Sequence, residues 1–362
     1  MKNILILANN YATITKFRSE TIEKLLEEEF QVYLSVPNDN TLDSLINKGL
    51  NIIDTNMDRR GKNPLKDFAL IKQYRKIIKE IKPNIILTYT IKPNIYGNLA
   101  AKKYKVPVIS TVTGLGDAVE NGGIMQRFLI LLMRVMRKSK AVVFQNDDNL
   151  QFCEKYKIIN NNAVLVNGSG VNLEKFQFIK NENNSLVTNF LFVGRMLKDK
   201  GIEELKQAYL NLYENNKNIS LTLIGDYTPG YEAFFDGLEE YNIFYKGYQT
   251  DVKPFLNECD AIVLPSYHEG MANVLLEAAA TGRAIIASDI PGCRETFDDG
   301  VTGLSFKSKN VESLQCAMEK FAGLTNEEQV NMGMLGRKKV EEQFNRVDVV
   351  NAYITEIEKY IK

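Results

Sequence analysis

Two carboxylates and two cations sit at strand-to-helix junctions of this sequence, a set able to hold and polarise a phosphate ester. Glu269 and Glu277 lie eight positions apart in the stretch 261–277, AIVLPSYHEGMANVLLE. Its apolar opening, Ala261 to Leu264, reads as a buried strand, Pro265 to Tyr267 as a loop, and the segment from about Ala272 as an apolar helix. Gly270 breaks the first turn, so Glu269 belongs to the loop and Glu277 to the helix. A helix that starts directly after a strand points its unpaired N–H groups and positive dipole end into the crevice at that sheet edge, which suits a phosphate. Glu277, set among Val274, Leu275, Leu276, Ala278 and Ala279, needs a partner to offset its burial. A nearby Lys or Arg would serve, and so would the hydroxyl pair of a ligand. Glu269 reads either as a solvated loop acid or as a group facing that ligand.

A second junction, FLFVGRMLKDKG at 190–201, brings Gly194, Arg195 and Lys200 to the end of another strand. Both cations could reach one diphosphate, Arg with a planar fork and Lys with a mobile point charge. A third strand end, LTLIGD at 221–226, supplies Gly225 for close backbone approach to a ligand. Taken in order, G-R-M-x-x-x-K-G, L-I-G-D and E-G-x-x-N-V-x-x-E resemble the retaining glycosyltransferases of family four, which have the two-domain GT-B fold. The resemblance extends, more weakly, over nearly the whole chain. It implies that Arg195 and Lys200 hold the diphosphate of a nucleotide-sugar, that Glu277 binds the ribose hydroxyls and that Glu269 lies by the donor sugar. Gly270, Met271, Ala272, Asn273 and Val274 would then cradle sugar and phosphate. Lys246-Gly247-Tyr248 falls at a strand end where relatives hold the base, which adds Tyr248 to Gly194 and Gly225 as donor-binding residues. His268, the only histidine of the chain, is read as a loop or sugar contact outside the catalytic set of Arg195, Lys200 and Glu269.

Four places in the first half complete the candidate site. The loop from Ala8 to Thr15, with Asn10 and Thr13, lies where relatives often carry a glycine pair that is absent here. Lys92, after a strand ending near Thr90, is either a phosphate contact or a solvated loop lysine. STVTGLGD at 110–117 contributes Thr113, Gly114 and Asp117 to an acceptor site; Thr113 falls where many relatives carry a histidine. Its G-x-G lacks a third glycine and a helix onset, so it is weak evidence for a dinucleotide. The segment 124–140, IMQRFLILLMRVMRKSK, holds Arg127, Arg134, Arg137, Lys138 and Lys140 and no acid. As one helix it would gather Arg127, Arg134 and Lys138 on a face, with Phe128, Leu129, Leu132, Met133 and Met136 over much of the rest. It is shorter than the ~20 apolar residues a membrane span needs. A helix lying in the membrane interface is one reading, a core helix under the sheet the other.

The chain as a whole sets the bounds. Its 362 residues suffice for two domains with separate cores, and 44% hydrophobic with 25% charged residues is the composition of a soluble globular protein. Net charge is zero but unevenly spread: residues 1–175 hold 26 Lys+Arg against 17 Asp+Glu, and the remainder 19 against 28. A basic first half suits an anionic membrane surface or a phosphate-bearing lipid. Nucleic acid is the weaker choice of anionic partner and is not expected, because no reader motif or basic-aromatic repeat is present. Cys153, Cys259, Cys293 and Cys316 show no C-x-x-C spacing, against a zinc site or disulfide framework and compatible with a reducing cytosol. The opening MKNILILANN reads as a first core strand rather than a signal peptide.

Strand and helix signals alternate along both halves, which predicts α/β architecture with parallel sheets covered on both faces and ligands at the carboxyl ends of strands. The expected domains are 1–171 for the acceptor and 172–346 for the donor, with 181–184, NENN, as a linker or exposed turn. By resemblance these would be two Rossmann-like, doubly wound domains facing across a cleft, with a C-terminal helix, 347–362, crossing back to the first. The function expected is retaining transfer of a sugar, from a UDP-sugar donor, to a hydroxyl of a lipid-linked glycan acceptor on polyprenyl diphosphate. It belongs to bacterial capsule, O-antigen or glycoprotein glycan synthesis, at the inner face of the plasma membrane. No D-x-D motif is present, so neither metal nor other cofactor is expected, and fixed charge would stabilise the leaving diphosphate. The rivals are a GT-B nucleotide-sugar epimerase, a glycoside hydrolase and a catalytically inactive nucleotide-sugar-binding partner of an assembly complex.

Overall fold

A computed structural model of the chain describes residues 2–37, 43–57, 63–115, 123–180 and 186–361. The residues fall into two compact units, Met1–Ser169 joined by Val347–Lys362, and Gly170–Arg346. The expected contributions of Asp117 and of the stretch 181–184 lie outside the described residues.

In the first unit the strands are β1 (Asn3–Leu7), β2 (Gln31–Val36), β3 (Asn51–Asp54), β4 (Ile85–Tyr89), β5 (Val108–Val112), β6 (Ala141–Phe144) and β7 (Ala163–Leu165). They form one parallel sheet in the order β3-β2-β1-β4-β5-β6-β7. Every residue of β4 and β5 is buried, as a parallel sheet covered by helices on both faces requires. The connections leave β1 in opposite directions, toward β2 on one side and β4 on the other. The carboxyl ends of β1 and β4 therefore border the crevice at which such folds take ligands.

The helix Ile91–Ala101 follows β4 after one residue and lies close on the sheet: a Cβ at Gly97 would come within 2.8 Å of Leu7 and 2.9 Å of Thr88. A buried polar chain fastens it there. Thr88 Oγ1 donates to Asn94 Oδ1 at 2.7 Å, Asn94 Nδ2 to the Thr111 carbonyl at 2.8 Å, and Asn98 Nδ2 to Ser110 Oγ at 2.8 Å. The last helix, Arg346–Glu358, buries Val349, Val350, Tyr353, Ile354 and Ile357 in the core of this unit.

The second unit repeats the plan with β8 (Thr188–Val193), β9 (Ile219–Ile224), β10 (Ile243–Tyr245), β11 (Ala261–Leu264), β12 (Ala284–Ser288) and β13 (Gly303–Phe306). Their order is β10-β9-β8-β11-β12-β13, again all parallel. This is the 3-2-1-4-5-6 order of doubly wound dinucleotide-binding folds, with the switch point between β8 and β11. The runs AIVL of β11 and AIIAS of β12 are wholly buried.

Candidate active site

Both motif-bearing junctions of the second unit end at its switch point. β8 runs into Gly194 and Arg195, β11 into Pro265 to Glu269, and these two strands are neighbours. After β8 the chain makes a short 3-10 turn, Lys198–Lys200, and Gly201 follows at φ +67°. A Cβ at Gly201 would lie 2.1 Å from the Pro265 carbonyl oxygen, so only glycine lets the K-G turn press against the loop after β11. The Tyr267 N–H donates to the Asp199 carbonyl at 2.8 Å and holds the two segments together. The consequence is direct: Lys200 Nζ meets Glu269 Oε1 at 2.5 Å, and Ser266 Oγ donates to the same oxygen at 2.7 Å. These side chains keep 25% and 15% of their surface exposed, so the pair faces the crevice edge while resting on the protein.

The loop is pinned from its other side as well. Gly292, at φ +84° after β12, would place a Cβ 2.5 Å from the Glu269 carbonyl oxygen, and its own carbonyl accepts from the Ala272 N–H at 2.8 Å. Glu269 to Ala272 thus run between the K-G turn and the Pro291-Gly292 turn. The helix Asn273–Ala280 begins immediately after, and no side chain caps its first turn. Asn273 donates Nδ2 to the Met271 carbonyl at 3.2 Å, and its Oδ1 is buried with no hydrogen-bond partner among the described residues. Glu277 is half-buried on this helix, with Gly270 and Val274 also half-buried and Met271 and Ala272 buried.

Gly225 closes the third junction: a Cβ there would sit 2.0 Å from the Gly194 carbonyl oxygen, while the Gly194 N–H donates to the Ile224 carbonyl at 2.9 Å. Arg195 is exposed and makes no hydrogen bond or ion pair among the described residues, leaving its guanidinium available. Tyr248 is 55% exposed after β10, and His268 is exposed. Beneath the site, burial and then the Glu269 carboxylate push the Cys293 thiol well above its ordinary value, so this cysteine stays a neutral packing residue. Among the described residues no group of three or more His, Cys, Asp or Glu is arranged to hold a metal ion.

The structure therefore gathers Lys200, Glu269, Arg195, Gly194, Gly225 and the start of the Asn273–Ala280 helix at one sheet edge. Sequence reading assigned Lys200 and Glu269 to separate parts of a ligand, and the structure joins them as an ion pair. It also missed Ser266 and Gly292. The Pro-Gly dipeptide after β12 was the available signal for Gly292, whereas Ser266 offered none.

In the first unit three expectations change. Asn10 stays on the short loop after β1, but Thr13 does not sit on a loop running to Thr15, because a helix, Tyr11–Phe17, starts directly after Asn10; Tyr11 and Ile14, three apart, bury against the sheet and impose the turn. Lys92 is not a solvated loop lysine. Its Nζ pairs with Asp67 Oδ1 at 2.8 Å with both side chains largely covered, and it lies on the helix Ile91–Ala101 rather than on a loop. Thr113 and Gly114 are half-buried just past β5.

The basic segment is not one helix. The α-helix Gly123–Met133 passes into a 3-10 turn, Arg134–Lys138, which breaks the register that would align Arg127, Arg134 and Lys138. Ile130, Met133 and Met136 are buried, while Ile124, Met125, Phe128 and Leu131 are exposed beside the exposed Arg127. Arg134 reaches the Tyr156 carbonyl at 3.3 Å, Arg137 reaches Asn160 Oδ1 at 3.0 Å, and Lys138 is exposed. Among the described residues no helix is long and apolar enough to cross a membrane.

Two family models divide the chain between them. Residues 3–146 match the model described as glycosyl transferase 4-like, and residues 187–323 match glycosyl transferases group 1. The chain belongs to the glycosyltransferases. It is 29% identical over 348 residues to the N,N'-diacetylbacillosaminyl-diphospho-undecaprenol alpha-1,3-N-acetylgalactosaminyltransferase of Campylobacter jejuni, covering 91% of this chain and 90% of that one. It is also 29% identical to the capsular polysaccharide biosynthesis glycosyltransferase CapM of Staphylococcus aureus, over 78% of this chain and 80% of CapM. Among solved structures, a glycosyltransferase of Rickettsia africae superposes with a TM-score of 0.78 at 19% identity, covering 100% of this chain and 99% of that one. Anabaena Alr3699/HepE, solved in complex with UDP, superposes at 0.76 and 15% identity, over 99% of this chain and 100% of that one. This glycosyltransferase accordingly has the GT-B fold, and its two doubly wound units are the units of that fold.

Proposed function

We propose that this glycosyltransferase moves a sugar from a UDP-sugar to a hydroxyl of a glycan carried on polyprenyl diphosphate, with retention of anomeric configuration and without a metal ion. The observation that carries the reading is the clustering of Arg195, Lys200 and Glu269 at the switch point, beside a helix start without a side-chain cap. The diphosphate lies against Arg195, Lys200 and the first turn of the Asn273–Ala280 helix, whose fixed charges stabilise it as it leaves. Glu269 lies by the donor sugar and Glu277 takes the ribose hydroxyls. The bond from the anomeric carbon to the diphosphate oxygen breaks as the acceptor oxygen bonds to that carbon from the same side. The acceptor proton passes to an oxygen of the departing diphosphate. Ion pairing with Glu269 holds Lys200 in place before the donor arrives, and the incoming diphosphate then competes for it.

The acceptor class follows the relatives of Campylobacter jejuni and Staphylococcus aureus, whose names give a diphospho-undecaprenol acceptor and capsule synthesis respectively. The exposed Ile124, Met125, Phe128 and Leu131, with Arg127 among them and Arg134, Arg137 and Lys138 following, form the surface that rests on an anionic membrane at its cytoplasmic face. The test is a panel of UDP- and GDP-sugars with purified protein, polyprenyl-diphosphate-sugar acceptor and detergent, with and without EDTA. Acceptor-dependent release of UDP that survives EDTA is the expected result. Release that stops with EDTA overturns metal independence, and no release from any donor overturns the reading.

A further inference from the structure

The first unit has a switch point of its own, between β1 and β4, and three groups beneath its carboxyl edge are left without the partners their burial calls for. Arg18 is 2% exposed, yet no carboxylate among the described residues pairs with it. Its guanidinium lies 5.2 Å from the ring centroid of Tyr89 and 5.2 Å from that of Tyr353, and donates from Nη1 to the Phe17 carbonyl at 2.9 Å. Two aromatic faces and one carbonyl soften the burial of a cation without neutralising it. Tyr89, the last residue of β4, is 1% exposed, and its hydroxyl has no hydrogen-bond partner among the described residues. The Tyr353 hydroxyl, by contrast, is paired with Thr111 Oγ1 at 2.8 Å.

Thr90 follows with φ +72° and ψ 165°, a region populated almost only by glycine, and its buried hydroxyl also lacks a partner among the described residues. A β-branched residue in that conformation is a strained outlier of the kind that surrounding structure must hold in place. Here the buried chain of Thr88, Asn94, Asn98 and Ser110 does so from the next helix. An unneutralised cation and two hydroxyls with unused donors share one need, which is an anion that accepts hydrogen bonds.

We propose that Thr90, Tyr89 and Arg18 form a phosphate-recognising subsite of the first unit, and that its ligand is the diphosphate of the lipid-linked acceptor. This rests on the acceptor class proposed above. Thr90, the half-buried member, contacts the anion at the strand end. Tyr89 and Arg18 are positioning residues beneath it: Arg18 supplies positive charge through a medium that screens it weakly, and Tyr89 holds the guanidinium face.

The full chain is titrated with inorganic pyrophosphate in saturating UDP, which occupies the second unit. Wild type takes up pyrophosphate under these conditions. Thr90→Gly and Arg18→Gln weaken that binding by about tenfold or more, as loss of a hydrogen bond to a charged group implies. Tyr89→Phe weakens it less, and Arg18→Lys recovers part of the loss. The affinity for UDP stays at the wild-type value in every variant, which certifies the fold. Thr90→Gly removes the backbone strain, so its unfolding midpoint does not fall, and a purely structural Thr90 would leave pyrophosphate binding unchanged. A farnesyl diphosphate arm displaces pyrophosphate whereas farnesol does not. No pyrophosphate uptake by UDP-saturated wild type, or wild-type uptake by both Thr90→Gly and Tyr89→Phe, overturns the subsite. Failure of farnesyl diphosphate to displace pyrophosphate overturns the assignment to a lipid acceptor. UDP release from the nucleotide-sugar in water, measured separately, reports on the donor reading, so the two can fail independently.

Discussion

Replacing Gly292 with alanine tests whether the loop carrying Glu269 is placed by the turn after β12. The new Cβ would lie 2.5 Å from the Glu269 carbonyl oxygen, 2.8 Å from its carbonyl carbon and 3.0 Å from the Gly270 carbonyl carbon. Ordinary contact begins near 3.4 Å, so the two segments must part by about 0.9 Å, a displacement that can lower turnover on the order of a hundredfold when it falls on a reacting group. The backbone adds its own penalty, because φ +84° at Gly292 disfavours an L side chain by roughly 1–2 kcal/mol. Gly300 separates the two effects. It has φ +74°, yet a Cβ there meets nothing within 4 Å. Gly300→Ala should lose a comparable backbone contribution to stability and keep its turnover, whereas Gly292→Ala should lose both. The assay is donor-dependent UDP release alongside urea unfolding of each variant. Equal turnover in the two alanine variants would refute the claim that Gly292 positions the catalytic loop.

Three further outcomes are expected. Lys200→Met and Glu269→Gln should each reduce turnover by about 10²-fold or more while the unfolding midpoint moves little, since the pair is partly solvated; wild-type turnover in either variant removes that residue from the catalytic set. Replacing Ile124, Phe128 and Leu131 together with Asp should abolish co-sedimentation with anionic vesicles and leave turnover on a detergent-dispersed acceptor unchanged, and retained vesicle binding would exclude this surface. Burial pushes the thiols of Cys153 and Cys259 up to about 12 and that of Cys293 well up, while Cys316 is exposed. At pH 8 a thiol reagent should therefore titrate one cysteine of the native protein and four after unfolding. Because the native state keeps protons on the buried thiols that the unfolded state releases near the ordinary thiol range, stability should fall as pH rises through and above that range. A native titre of two or more would contradict the burial.

Much of this was legible in the linear order of residues, and for a physical reason. Runs such as AIVL and IILTY are too short and too apolar to be anything but buried strands once glycine, proline and polar breaks bracket them, so the alternation of strand and helix could be read directly. The chemistry at the ends of β8 and β11 was legible for the same reason: in a parallel sheet every carboxyl end lies on one edge, and Arg195, Lys200 and Glu269 follow strand ends. Helix onsets were less legible. Tyr11 to Phe17 is rich in threonine and reads as a loop until the sheet against which Tyr11 and Ile14 pack is in place. The segment 124–140 looks like one amphipathic helix by its period, and only the core contacts of Met133 and Met136 show where the α-helix yields to a 3-10 turn.

Pairings decided by distance along the chain were beyond the sequence altogether. Lys92 is 25 residues from Asp67 and Lys200 is 69 from Glu269, and no local pattern distinguishes a committed lysine from a free one. The same holds for Arg18, whose cation is enclosed by Tyr89 and by Tyr353 from the last helix. Sequence by itself determined which segments become strands and therefore which residues reach the ligand edge, because burial and hydrogen-bond periodicity act locally. The tertiary structure alone decided which of those residues neutralise one another and which are left with unmet charge or hydrogen bonds, because the electrostatic environment depends on neighbours that the chain brings together only by folding.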